Sequence, residues 1–248
     1  DTYYQDRQRH GIGLDEARRL MRNRNFYGPM MVKMGDADAY VTGSMVKYTR
    51  AVKPVLEILG PKARGRAVAG VYVMLTKKGP KFFADTAINQ DPTAERVAEI
   101  AVQAAELVKR MNIEPSIALL SYSNFGSSDG KTPKKMRDAL RILHENHPDL
   151  TVDGEMQANF AVDKHQLKEQ FPFSDLVGSP PNIFIFPGLS SANIGYKLLQ
   201  SMAGMEAVGP LLIGLDYPAH VLQLGADVRE IVNTTAMAVV DAQSRETT

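Results

Sequence analysis

The chain has 248 residues, of which 44% are hydrophobic and 23% charged, and its formal net charge is +1 at pH 7. These ordinary globular values exclude wholesale disorder, and the balanced charge argues against nucleic acid or an anionic membrane as a bulk partner. The absence of cysteine excludes disulfides, thiolate nucleophiles and cysteine metal sites. No apolar run is long enough to span a membrane and no signal-like segment opens the chain, so we expect a cytoplasmic location. The polar, helix-like start without an initiator methionine predicts a piece of a longer polypeptide.

The predicted elements alternate between helices and strands, which is typical of α/β layers with a mostly parallel sheet. In chain order they are a helix over 14–23, two short apolar runs around a turn over 28–43, a helix over 44–60, two strands joined at Lys78-Gly79 over 66–89, a helix from Asp91 to Met111, a buried strand over 116–121, a Gly/Ser loop over 123–130, a helix over 133–147, the segment 151–155, a strand over 182–186, a helix over 191–204, a strand over 207–215 and a last helix from Asp227. We expect the helix over 44–60 to kink or end before Pro54. Asp91 is the expected N-cap of the next long helix, with Pro92 at its first position.

Two groups of residues could bind an anion. The loop "LLSYSNFGSSDG" leads from a predicted strand into a helix, where backbone N–H groups can cradle phosphate and Ser123, Asn124 and Ser127 add donors. An ordinary polar loop would have the same composition. Lys47, Arg50 and Lys53 follow at three-residue spacing on one helix, where they could hold a polyanion or form a solvated face.

Metal ligation is not predicted. The histidines of "HENH" (144–147) lie at a helix end without a carboxylate ligand motif. Asp36 and Asp38 in "GDADAYVTG" could suggest Mg²⁺, but the composition favours a polar turn. The sequence also lacks a nucleophile elbow, an H-E-x-x-H motif and a dinucleotide fingerprint.

Several sequence blocks together resemble one family. They are "MMVKMGDADAYVTG", "FFADTAINQDPTAERVAEIA", "IEPSIALLSYSNFGSS", "DGEMQANFA", "NIFIFPGLSSANIGYKLLQ", "AVGPLLIGL" and "ADVREIVNTTAMAVVDAQ", and they span residues 11 to 243 in the family's order. On these blocks the chain resembles the phosphate acetyltransferase/butyryltransferase (phosphotransacetylase) family, without the family's first several tens of residues.

This resemblance implies two α/β domains of the phosphotransacetylase and isocitrate dehydrogenase-like type, with mostly parallel sheets and a cleft between them. The expected boundaries place residues 1–62 and 201–248 in a terminal domain and residues 63–200 in an inserted middle domain. The resemblance also implies that coenzyme A and an acyl phosphate meet in the cleft, and that the protein is a homodimer or a higher homo-oligomer.

The segment "HVLQLGADVREIVN" (220–233) departs from the pattern of active members. There the resemblance implies a serine and an arginine that hold the substrate and its developing charge, and an aspartate that deprotonates the CoA thiol. Gln223, Leu224 and Glu230 occupy these positions. Leucine offers nothing to an oxyanion, whereas Glu230 keeps a carboxylate and also fits a capping box with Asp227. Lys53 stands where the family has another arginine, so the charge is kept without the bidentate fork.

These departures resemble one branch, the C-terminal phosphotransacetylase-like domains of NADP-dependent malic enzymes. The resemblance then implies a domain that is inactive in acetyl transfer, binds acetyl-CoA as an effector and inhibits an upstream malic enzyme domain of the same polypeptide. NADP and a divalent metal would belong to that upstream domain. The residues expected to bind acetyl-CoA are Lys47, Arg50, Lys53, Ser123, Asn124, Ser127, Asn193, Lys197, Leu224 and Asn233.

Two alternatives remain open at the level of sequence. An active phosphate acetyl- or butyryltransferase would use Glu230 and a donor from elsewhere, and Leu224 argues against it. A structural dimerisation module would have a filled cleft, which the Ser/Asn loop and "SANIGYK" argue against.

Overall fold

A computed structural model describes residues 1–61 and 66–246 of the chain. The chain folds into two compact units. The terminal unit is formed by Asp1–Arg66 with Gly214–Thr248, and the middle unit is formed by Ala67–Ile213. No helix in the described part of the chain is long and apolar enough to cross a lipid bilayer.

Helices and strands alternate over most of the chain. The helices are α1 (Thr2–Arg7), α2 (Leu14–Leu20), α3 (Arg24–Met34), α4 (Tyr48–Leu59), α5 (Ala94–Arg110), α6 (Lys131–Asn146), α7 (Ala158–Val162), α8 (Lys164–Gln170), α9 (Leu189–Ala203) and α10 (Val228–Glu246). The strands are β1 (Tyr40–Thr42), β2 (Ala69–Thr76), β3 (Gly79–Ala84), β4 (Ser116–Leu120), β5 (Thr151–Met156), β6 (Ile183–Ile185), β7 (Ala207–Ile213) and β8 (Ala219–Val221).

The middle unit is built on a six-stranded sheet with the order β5-β4-β6-β3-β2-β7. Strands β5, β4, β6 and β3 run parallel, and β2 is antiparallel to both β3 and β7. The predicted hairpin is present as β2 and β3, and the predicted buried strand is β4, of which every residue is buried. The predicted α/β fold with mostly parallel strands is confirmed.

The order of these strands determines which face each helix covers. The connections through α5 and α6 advance along the sheet in one direction, whereas the connection through α7 and α8 returns from β5 to β6. Because parallel crossovers are right-handed, the returning connection lies on the opposite face. There α7 and α8 bury Phe160 and Leu167 in a cluster with Leu120 and Phe184 of the sheet. On α9, Tyr196 stacks on the Tyr72 ring of β2 at a centroid distance of 4.0 Å.

In the terminal unit, β1 and β8 pair in parallel as a separate two-stranded sheet. Helix α4 turns its apolar side inward, and α1 is attached to it by polar contacts. The Tyr3 hydroxyl donates to Glu57 at 2.5 Å, and the same carboxylate lies 3.2 Å from Arg7. Burial, followed by the bond to Glu57, holds the pKa of Tyr3 well above its usual value.

The expected end of the helix before Pro54 is wrong, because α4 continues through this residue to Leu59. The alternative expectation, a kink at this residue, stays a prediction. Proline removes only its own amide bond, whose acceptor would be the Arg50 carbonyl close to the helix start. Its ring is buried on the same side as Val55 and Ile58, and this burial offsets the missing bond.

The expected N-cap Asp91 is also wrong. Helix α5 is capped by Thr93, whose hydroxyl accepts from the Arg96 amide at 3.3 Å. Asp91 instead pairs with Lys135 at 2.7 Å, and this hydrogen bond holds the pKa of its carboxyl below the usual range.

One predicted segment and one domain boundary differ from the sequence-based expectation. The first apolar run of 28–43 forms the end of α3, so only the second run is extended. The second domain boundary follows Ile213 instead of Gln200, because β7 pairs with β2 and therefore belongs to the middle sheet. The first boundary was expected after residue 62, which lies outside the described residues.

Candidate functional site

The carboxyl ends of β1 and β8 lie side by side in the terminal unit, because the two strands are parallel and in register. The segments that leave them remain paired. The Leu222 amide donates to the Thr42 carbonyl at 2.7 Å, and the Gly225 amide donates to the Ser44 carbonyl at 3.0 Å. The stretch before α4 is therefore held against the stretch before α10, which contains Leu224.

This pairing requires glycine at position 43. Gly43 has φ +121°, and a Cβ atom there would lie 2.2 Å from the Leu222 carbonyl oxygen. No other residue fits without separating the two segments. A cavity of about 420 Å³ adjoins Gly43 and is lined in part by Gly28, Tyr40 and Met45.

The three predicted cations lie at the start of α4. Lys47 is its N-cap residue, Arg50 and Lys53 follow in the first two turns, and all three side chains are exposed. Within the described residues none of them pairs with a carboxylate, and the first turn of α4 contains no acidic residue. The helix dipole adds to their positive charge, so this end of α4 attracts anions.

The three positions that depart from the pattern of active members lie at or near the start of α10. Gln223 is half-buried, and Leu224 is 59% exposed. Glu230 forms the predicted capping box, because its amide donates to Asp227 Oδ1 at 2.8 Å and its Oε2 accepts from the Asp227 amide at 3.1 Å. The capping interpretation of Glu230 is thus confirmed. Asn233, one turn further on, is half-buried.

In the middle unit, the loop after β4 is organised around a buried carboxylate. Glu155 is fully buried, and its Oε1 accepts from the Ser123 hydroxyl, the Gly126 amide and the Arg137 guanidinium, each at 3.0 Å. Its Oε2 is also buried and has no hydrogen-bond partner among the described residues. The carboxylate therefore ties the loop to α6, which carries Arg137.

This arrangement changes the predicted role of Ser123. Its side chain is buried and gives its hydrogen to Glu155, so it cannot also donate to an anion. Asn124 and Ser127 lie further out. The backbone amide of Asn124 donates to Ser127 Oγ at 3.0 Å, and Asn124 Oδ1 accepts from the Gln157 backbone amide at 2.8 Å. The side-chain Nδ2 of Asn124 and the hydroxyl hydrogen of Ser127 remain as donors.

Asn193 and Lys197 are one helical turn apart on α9 and therefore lie on the same side of it. Asn193 is half-buried, and the exposed Lys197 places Nζ 6.0 Å from the Tyr196 ring centre. Neither side chain has a carboxylate partner in the part of the chain that the structure describes.

Two buried acids that organise the strand ends were missed by sequence reasoning. One is Glu155, and the other is Asp85 at the end of β3. Asp85 accepts four backbone amides, among them Gly70 at 2.8 Å and Asn89 at 2.6 Å. The available signal was an acid at the end of a strand, directly after apolar residues in "FFAD" and after a glycine in "VDGE".

Of the residues considered as metal ligands in the sequence, His144 contacts the backbone of β5. His144 Nε2 lies 3.1 Å from the Val152 carbonyl oxygen. Within residues 1–61 and 66–246, no three His, Asp or Glu side chains cluster as ligands round a metal ion would.

We predict that Arg137→Ala destabilises the chain, because it leaves the Glu155 charge buried and unpaired. Breaking a buried pair costs about 3–5 kcal/mol, and the one-third exposure of Arg137 lets water replace part of the contact, so we expect about 2–3 kcal/mol. Arg141→Ala is the matched control, because Arg141 lies one turn later on α6 and its pair with Glu145 is exposed. Urea unfolding measures both variants, and equal losses would contradict the role of Glu155.

Both the sequence and the fold of this chain are similar to those of known proteins. The sequence model of the phosphate acetyl/butaryl transferase family matches residues 1–239. The NADP-dependent malic enzyme of Salmonella typhimurium is 42% identical over 98% of this chain, and the phosphate acetyltransferase of Corynebacterium glutamicum is 38% identical over 96%. A solved phosphotransacetylase from Streptococcus pyogenes superposes with a TM-score of 0.88 at 37% identity, covering 95% of this chain and 72% of that one.

The fraction of the relative's own length that this chain matches differs between the acetyltransferase and the malic enzyme. The match covers 72% of the Corynebacterium acetyltransferase but 32% of the Salmonella malic enzyme, so the chain spans about a third of the length of the malic enzymes that it matches. The match over residues 1–239 and the superposition agree with the resemblance that the sequence blocks carry. The chain belongs to the phosphate acetyl/butaryl transferase family.

Proposed function

We propose that this chain is an acetyl-CoA-binding regulatory domain of an NADP-dependent malic enzyme and that it does not transfer acyl groups. The observation that carries the proposal is the set of side chains at and just before the start of α10. An exposed leucine stands at position 224, where the resemblance implies an arginine, and Glu230 is engaged in a capping box. The similarity to malic enzymes over nearly the whole chain supports the same assignment.

Acyl transfer from an acyl phosphate to a thiol develops negative charge on oxygen, and a fixed donor must stabilise it. Removing one such donor typically lowers the rate by about 10² to 10³, and a charged donor contributes more than a neutral one. The thiol must also lose its proton to a base. Glu230 has one carboxylate oxygen bonded to the Asp227 amide, which holds the side chain along the helix start. Both requirements are therefore weakened together.

Binding of acetyl-CoA does not need these groups. We assign its phosphates to the exposed cations Lys47, Arg50 and Lys53 at the start of α4, where the helix dipole adds to the attraction. The remaining contacts are proposed for polar side chains with free donors and for the apolar surface of one leucine: Asn124, Ser127, Asn193, Lys197, Leu224 and Asn233.

A site that binds acetyl-CoA without consuming it is suited to sensing. Malate oxidation yields pyruvate, from which acetyl-CoA is made, so inhibition by acetyl-CoA would act as feedback. A ligand can shift the equilibrium between the active and inactive arrangements of the attached enzyme only by the difference between its affinities for the two. NADP and the divalent metal act in the malic enzyme domain, and the protein works as a homodimer or a higher homo-oligomer.

An active phosphate acetyltransferase is the second candidate. The relative from Corynebacterium glutamicum covers almost the whole chain at 38% identity. Glu230 keeps a carboxylate, and Lys53 keeps a positive charge. A donor brought from elsewhere would have to replace the missing arginine.

An assay of acyl transfer distinguishes the regulatory domain from the active acetyltransferase. The chain, mixed at micromolar concentration with CoA and acetyl phosphate, should form no acetyl-CoA above background. The physical reason is the missing cation at Leu224. A coupled assay measures the product, and turnover near 1 s⁻¹ or faster, which is within the ordinary enzyme range, would establish the acetyltransferase instead.

The second prediction concerns acetyl-CoA binding at α4. Lys53→Glu should weaken binding in isothermal titration, and the loss should shrink as salt rises, because exposed charges are screened. Lys168→Glu on α8 is the matched control, since it makes the same charge change at an exposed lysine. Equal affinities of the Lys53 variant and the unaltered chain would show that the phosphates bind elsewhere.

The third prediction tests regulation in the full-length polypeptide that carries this chain. Acetyl-CoA should inhibit malate-dependent reduction of NADP, and deletion of residues 1 to 248 should abolish that inhibition. The coupling must be reciprocal, so substrates that favour the active arrangement should weaken acetyl-CoA binding by the same factor, typically about 5- to 150-fold. Inhibition that survives the deletion would place the sensor in the other domain.

A further inference from the structure

A large cavity lies in the middle unit, within Ala67–Ile213. Its volume of about 1060 Å³ is at the upper end of the range typical of small-molecule sites. Its floor is apolar and is formed by the half-buried Phe83 of the sheet, with the buried side chains of Met74 and Phe184 beside it. The rim carries three lysines, Lys78, Lys81 and Lys164, together with His165.

The cavity is at the opposite edge of the sheet from the loop that contains Asn124. That loop follows the carboxyl end of β4, whereas the cavity is lined by the β2-β3 turn and by the segments that enter β4, β6 and β7. The end of α7, the start of α8 and Leu199 of α9 complete the lining. Because β4 and β6 are parallel, their entry segments share the other edge. Five residues of β4 separate the two edges by about 16 Å. The two locations are distinct, and each could be occupied while the other is.

Lys81 lies close to Phe184 of the apolar floor. It is half-buried, donates to the Pro181 carbonyl at 2.7 Å and places Nζ 6.0 Å from the Phe184 ring centre. Burial, and then the neighbouring Lys78, lower the pKa of Lys81 from its usual value. Its environment therefore offers one carbonyl and one aromatic ring, and leaves much of the positive charge uncompensated.

The acid on the rim does not compensate these lysines. Asp163 caps α8, and its carboxylate accepts from the His165 amide at 2.9 Å and from the Gln166 amide at 3.2 Å. These bonds hold the pKa of Asp163 below its usual range. Among the described lining residues Asp163 is the one carboxylate, so the rim has an excess of positive charge above an apolar floor.

We propose that this cavity is a second binding site, for a small amphipathic anion whose aromatic or aliphatic body lies on Phe83 and whose carboxylate, sulfonate or phosphate contacts Lys81 and Lys78. The site is independent of acetyl-CoA and of the function proposed above. Its position, across the sheet from the acetyl-CoA contacts of the middle unit, makes it a place where a second metabolite can act on the same unit.

The test uses 8-anilinonaphthalene-1-sulfonate, an aromatic anion whose fluorescence increases in apolar surroundings. Titration of the chain should give one saturable site, and acetyl-CoA at saturating concentration should leave it occupied. Lys78→Gln combined with Lys81→Gln should lower the affinity for the probe at least about tenfold, the equivalent of one charge-assisted contact. Lys77→Gln combined with Lys168→Gln is the matched control, because it removes the same charge from lysines that do not line the cavity.

A second pair of variants avoids the half-buried lysine. Val162 is 66% exposed and lines the cavity, whereas Met202 is 83% exposed and does not. Val162→Glu should repel the anionic probe and lower its affinity. Met202→Glu should leave the affinity unchanged. Equal effects within each pair, or displacement of the probe by acetyl-CoA, would overturn the proposal. Failure of acetyl-CoA to bind would bear on the proposed function alone.

Discussion

The shared direction of neighbouring parallel strands is the constraint on which the rest of the molecule depends. Because β3, β4, β5 and β6 run parallel, every segment that leaves them emerges at one edge of the sheet. Polar groups gather there, and each needs partners that the sheet does not supply. Asp85 and Glu155 supply those partners, since each gathers several donors on a buried carboxylate. The other edge receives entering segments, whose prolines and lysines border a cavity instead.

The terminal unit repeats this arrangement on a smaller scale. Two parallel strands of three residues each bring the starts of α4 and α10 to one edge, and Gly43 allows the segments between to touch. Beside this pairing lie the positions at which the resemblance implies other side chains, namely Gln223, Leu224, Glu230 and Lys53. Under the function proposed above, the same backbone arrangement serves recognition without turnover.

Local patterns in the sequence predicted the fold well, and long-range contacts explain the failures. The β2-β3 hairpin and the capping box at Asp227 are set by neighbours in the chain, and both were predicted. The role of Ser123 depends on Glu155, which lies on another strand and could not be inferred from composition. The continuation of α4 through Pro54 depends on burial of its ring in the terminal unit. The three-residue strand β8 is too short to show a period of its own.

The capping box at α10 also limits how this sequence can change. Glutamate at position 230 reaches back to the Asp227 amide, and aspartate, with a stem shorter by one methylene, is not the residue that this motif favours. Under the function proposed above, replacing Glu230 with the aspartate that the resemblance implies would weaken the start of the helix, while position 224 would still lack a cation. On that proposal, this single change lowers stability without adding acyl transfer. Acyl transfer would then require changes at both positions together.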